Sequence, residues 1–68
     1  MIPFVLIVLE FVQIGRSGKC NNAGLQKMTQ GDLAGARADF QRALEIDRDN
    51  ADAANNCATV VWMLRANP

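Results

Sequence analysis

The sequence predicts an all-α fold of antiparallel helical hairpins, and three observations carry that expectation. Apolar residues between Gly31 and Asn50 recur at helical spacing, glycine and aspartate divide the chain into helix-length pieces, and a 34-residue self-similarity lays one piece over another.

The first fourteen residues, MIPFVLIVLEFVQI, hold eleven from Val, Ile, Leu, Phe and Met, broken by Pro3, Glu10 and Gln13. As a helix, the segment has Pro3 in its first turn and a narrow polar strip of Glu10 and Gln13. As a strand, it has suitable β-branched residues but no clean alternation, which fits only a fully buried strand. As a membrane span it is short, since fourteen helical residues cover about 21 Å of a hydrocarbon core about 30 Å thick, and Glu10 adds a charge. A secretory signal would show a basic start and a small-residue cleavage site, and neither is evident. Residues 1–15 are therefore read as an apolar segment, helical for preference, that caps the domain, lies in an interface or anchors it.

Gly15 to Lys19, GRSGK, reads as a polar joint. An apolar run followed by Gly-x-x-Gly-Lys also resembles a phosphate-binding loop, but Gln13 stands in place of the first glycine and Cys20 in place of the magnesium-binding hydroxyl. Residues 18–30 then form a first helix of weak amphipathicity, closed by Gly31, which can take a positive φ. Asp32 is placed to cap the next helix, over 32–47. Its apolar stripe is Leu33, Ala36, Phe40, Ala43 and Leu44, with Arg37, Asp39, Gln41, Arg42 and Glu45 assigned to the solvent side. Asp47, Asp49 and Asn50 stop it and offer a new cap. A third helix over 51–65 shows a stripe of Ala51, Ala54, Ala58 and Val61, widened by Cys57, Val60 and Leu64, and Asn67 and Pro68 end it.

A chain of 68 residues makes one small domain, near the lower limit for a self-sufficient core. Seven basic and seven acidic residues cancel without clustering, which argues against nucleic acid as a partner. Histidine is absent and only two cysteines are present, too few ligands for a zinc site, and no cofactor motif survives scrutiny. The cysteines, Cys20 and Cys57, read as small packing residues.

Shifting the chain by 34 residues brings Asn21 onto Asn55, Asn22 onto Asn56, and Ala23-Gly24 onto Cys57-Ala58. That period, with Gly24, Gly31-Asp32, Ala36, Phe40 and Ala43-Leu44 at their spacings, resembles the tetratricopeptide repeat family. The resemblance covers residues 18–50 as one helical hairpin and 51–68 as the first helix of a second, truncated repeat. It departs from the family pattern where Cys20 and Ala54 replace the early aromatic, Ala23 and Cys57 the leucine, Lys27 and Val61 the tyrosine, and Arg48 the closing proline.

Hairpins of this family stack into an α-solenoid whose first helices line a binding groove. The resemblance thus implies a non-catalytic protein-protein interaction module, a scaffold that binds a peptide or partner helix. Groove positions carried over to this chain are Asn21, Leu25, Met28, Thr29, Asn55, Thr59, Trp62 and Met63, while Gly24, Ala36, Phe40 and Ala43 serve repeat packing. The lysine–arginine carboxylate clamp of some members is not expected here. About one and a half repeats leave an apolar face open, so residues 1–14 as a cap, self-association, or a place within a longer array are each expected ways to cover it. The expected location is cytoplasmic, with membrane association through residues 1–14 as the alternative.

Overall fold

The computed structural model describes the backbone of residues 4–66 and the side chains of residues 12–66. Three helices follow one another: α1 (Phe4–Thr29), α2 (Leu33–Ile46) and α3 (Ala51–Ala66), with no strand among the described residues. The expected roles of Pro3, Asn67 and Pro68 lie outside the described residues.

Both turns are built from local chemistry that the sequence advertises. Gly31 takes φ +82°. This geometry lets the Gly31 N–H reach Met28 O at 3.0 Å and the Asp32 N–H reach Lys27 O at 2.9 Å, the paired bonds of a left-handed helix stop. Asp32 then caps α2, its Oδ1 accepting from the Gly35 N–H at 2.9 Å. At the other end the Asp47 N–H donates to Ala43 O at 2.9 Å and the Asp47 carboxylate accepts from the Asp49 N–H at 3.0 Å. Asn50 caps α3 through Oδ1, 3.0 Å from the Ala53 N–H.

α2 packs antiparallel to α1 and to α3. Ala36, Phe40 and Val60 form the fully buried centre, with Met28, Leu33, Cys57 and Leu64 packed around it. Gly24 admits the Phe40 ring so closely that a Cβ there would sit 2.5 Å from Cε1. The large knob of α2 thus fills a hole that only glycine leaves open.

The structure corrects three expectations. The joint at Gly15–Lys19 is absent, and α1 runs unbroken through it. Two interior glycines cost roughly 1 kcal/mol each relative to alanine, but Ser17 between them is fully buried and donates its Oγ–H to Ala43 O at 2.8 Å. That tertiary anchor holds the segment helical. Asp39, assigned to solvent, is only 8% exposed and pairs with Lys27, whose Nζ lies 2.9 Å from Oδ2. Among the described residues no other donor reaches that oxygen, and the ammonium is what compensates it. The buried face of α3 is Ala53 and Val60, flanked by Cys57 and Leu64, whereas Ala51, Ala54 and Ala58 are exposed.

The radius of gyration is 13.7 Å, against about 11 Å for a compact chain of this length. Fourteen residues of α2 span about 21 Å, roughly half of the 26-residue α1. The first half of α1 therefore continues past the α2–α3 turn, where Gln13 and Ile14 border a hollow shared with Ile46 to Asp49. No described helix is long and apolar enough to cross a membrane.

Glycine substitutions report this geometry directly. Gly15 has negative φ and open space around its missing Cβ, so Gly15→Ala is expected to stabilise by about 0.5–1 kcal/mol. Gly31→Ala, at φ +82°, is expected to destabilise by about 1 kcal/mol. Urea unfolding of the two variants checks both signs; a Gly15→Ala variant less stable than the parent would contradict a continuous α1.

Candidate functional site

The 34-residue period becomes geometry between α1 and α3. The two helices run parallel, each packed on α2, and are linked by two side-chain contacts whose sequence separations straddle that period. Asn50 Nδ2 donates to Ser17 Oγ at 2.8 Å, and Asn56 Nδ2 donates to Asn21 Oδ1 at 2.9 Å. One member of each Asn-Asn doublet, Asn21 of α1 and Asn56 of α3, thus meets its counterpart between the two helices.

The eight groove residues expected from sequence divide by exposure. Leu25, Thr29, Asn55, Thr59 and Trp62 are exposed, Trp62 at 70%. Met28 and Met63 are half-buried, with Met28 packed against the core. Asn21 is 8% exposed, its carbonyl oxygen engaged by Asn56. Asn21 and Leu25 sit one helical turn apart on α1 with Met28 and Thr29 a further turn on, and Asn55, Thr59 and Trp62–Met63 make the matching series on α3.

Hydrogen-bonding capacity at these positions is partly committed. Thr29 Oγ1 donates to Gln26 O at 2.7 Å and Thr59 Oγ1 donates to Asn55 O at 2.9 Å. Both hydroxyls spend their single proton within their own helix and face outward as acceptors. The exposed amide of Asn55 offers both donor and acceptor, and Leu25 and Trp62 add apolar area.

The four packing residues lie inside: Ala36, Phe40 and Ala43 are inaccessible to solvent, and Gly24 is buried under the Phe40 ring. Cys20 and Cys57 are half-buried free thiols. Two contributors escaped the sequence reading. Asn56 was detectable as the second member of the repeated doublet, whereas Ser17, surrounded by glycines and charges, carried no local signal of burial.

A family model described as TPR repeat matches residues 24–64, more than half of the chain and all of α2. No curated protein and no solved structure matches the chain.

Proposed function

Since the chain belongs to the tetratricopeptide repeat family, we propose that it binds a peptide or a partner helix along the channel between α1 and α3. Repeats of this family generally mediate protein-protein interaction and are typically non-catalytic. The observation that supports the channel is its asymmetry of exposure: the facing amides of Asn21 and Asn56 are bonded to each other, while Leu25, Asn55, Thr59 and Trp62 around them are open.

In this reading Trp62 is the main apolar anchor. Large amphipathic side chains contribute most where they can be desolvated, and a tryptophan left 70% exposed has most of its surface still to bury. Leu25 supplies the opposing apolar contact, and Asn55 pairs with the backbone of the bound segment. The acceptor faces of Thr29 and Thr59 take its N–H groups.

Selection from a random-peptide display library, followed by titration of selected peptides against the full chain, tests this. Trp62 is the only tryptophan, so its emission should shift to the blue on binding. Leu25→Asp and Thr59→Lys, both at exposed positions, are expected to weaken selected peptides by tenfold or more, about 1.4 kcal/mol, with unchanged helix content. Binders indifferent to both substitutions, or no binders above background, would overturn the assignment.

A further inference from the structure

The first half of α1 extends past the other two helices, and its register gives it a graded outer side. Val5, Val8 and Val12 fall on the same side of the helix as Arg16 and Lys19. This side is opposite the one through which Ser17 and Gly24 meet α2. Val12, Arg16 and Lys19 are exposed. Neither cation pairs with a carboxylate among the described residues. Ala23 and Gln26 follow on that side without charge. Along the outer side the order is therefore apolar, cationic, neutral.

Glu10 and Gln13 are the polar residues between Phe4 and Ile14, and they fall on the inner side, in register with Ser17 and Gly24. Gln13 there borders the hollow shared with Ile46 to Asp49. Apolar residues occupy the rest of the circumference, an arc of roughly 220°. The width of that arc selects its occupant. A single partner helix covers a stripe about 100° wide and leaves the remainder in water. A lipid surface covers a broad arc at once. Charge then selects the lipid, because Arg16 and Lys19 carry long apolar stems and cationic heads that reach anionic headgroups while the stems stay among apolar groups. No described helix is long and apolar enough to cross a bilayer, so the segment lies in the plane of the interface.

We infer that the first half of α1 seats this chain on an anionic lipid surface as an interfacial helix, with the side bearing Val5, Val8 and Val12 towards the acyl chains and Arg16 and Lys19 at the headgroup phosphates. Asn21 and Leu25 lie on the flank of α1 towards α3, so the seat and the peptide channel occupy different sides of the helix. The two readings stand or fall separately.

Flotation of the full chain with vesicles of phosphatidylcholine, with and without phosphatidylglycerol, tests the inference. The chain is expected to float with the anionic vesicles in low salt and to lose most of that binding in high salt. Arg16→Gln combined with Lys19→Gln should lower partitioning about twentyfold, near fivefold for each charge. Arg37→Gln combined with Arg42→Gln removes the same charge from exposed positions of α2 and should float like the parent. Val12→Asp, at an exposed position, should weaken flotation by about tenfold or more with unchanged circular dichroism. A chain that stays at the bottom with anionic vesicles overturns the inference and leaves the apolar arc to a protein partner. Equal flotation with neutral and anionic vesicles, equal losses from the α2 pair, or a Val12→Asp variant that floats like the parent overturns it as well.

Discussion

Phe40→Ala is expected to leave the chain largely unfolded at 25 °C. Phe40 is fully buried, meets the Gly24 backbone, and joins Ala36 of its own helix to Val60 of α3. Truncating a buried phenylalanine costs about 3–5 kcal/mol when the cavity cannot collapse. Collapse is limited on the side where the ring meets the Gly24 backbone and Ala36, which have no long side chain to swing inward, while Val60, Met28, Leu33 and Leu64 border the core elsewhere. A single core of this size supplies a net stability of only about 3–5 kcal/mol, so one substitution consumes nearly all of it. Phe40→Leu makes the argument quantitative. It keeps most of the volume and should cost about 1–2 kcal/mol, lowering the melting midpoint by roughly 5–15 °C in a domain this small. Far-ultraviolet circular dichroism melts of both variants read the difference. An alanine variant that melts within a few degrees of the parent would mean that Phe40 is not the centre of the core.

The positions that the sequence reading placed well are those whose determinants are local. Asp32, Gly31 and the spacing of Ala36, Phe40 and Ala43 each act within a few residues of themselves, so α2 has a legible start, inner face and stop. The pairing of α1 with α3 was legible as a sequence period because both helices must meet the same partner, and the contacts Ser17–Asn50 and Asn21–Asn56 bear that period in space. Where the reading went astray, a distant group decides. Nothing near Ser17 announces that Ala43 O will take its proton from 26 residues away. Asp39 looked like one more surface charge until Lys27 of α1 came beside it. In α3 the failure has another cause: alanine occupies positions 51, 53, 54 and 58 on several sides of the helix, so hydrophobic contrast is too low to tell the face towards Val60 from the face towards solvent. Five of the eight groove residues expected from sequence are exposed, yet the sequence could not show that Asn21 would spend its carbonyl on Asn56. That depended on the rotation of two helices about their axes, which small residues leave undetermined.

Asn50→Ala is expected to be the most damaging polar substitution, at about 1.5–2.5 kcal/mol, because Asn50 performs two tasks with the two ends of one amide. Its Oδ1 accepts from the Ala53 N–H and so caps α3, and its Nδ2 donates to Ser17 Oγ on α1. Loss of an N-cap alone costs about 1 kcal/mol. Loss of a partly buried side-chain bond adds about 0.5–1.5 kcal/mol. Ser17 itself is fully buried and is held at Ala43 O, where the Asp47 N–H also arrives. One serine therefore ties the middle of α1 to the last turn of α2 and, through Asn50, to the first turn of α3. Asn50→Asp separates the tasks, since a carboxylate still caps and favours the helix N-terminus but has no proton for Ser17. It should recover about half of the loss. Ser17→Ala should cost about 1–2 kcal/mol by leaving the Asn50 amide short of an acceptor. The double variant should then be less harmful than the sum, with a coupling of about 0.5–1.5 kcal/mol. Urea midpoints of the parent, both single variants and the double variant give that coupling. If the two losses simply add, the Ser17–Asn50 bond contributes nothing to stability. In that case the continuity of α1 through Gly15 and Gly18 must come from the Ser17–Ala43 contact alone, and Ser17→Ala should loosen hydrogen exchange at residues 15–18 while Asn50→Ala leaves it unchanged.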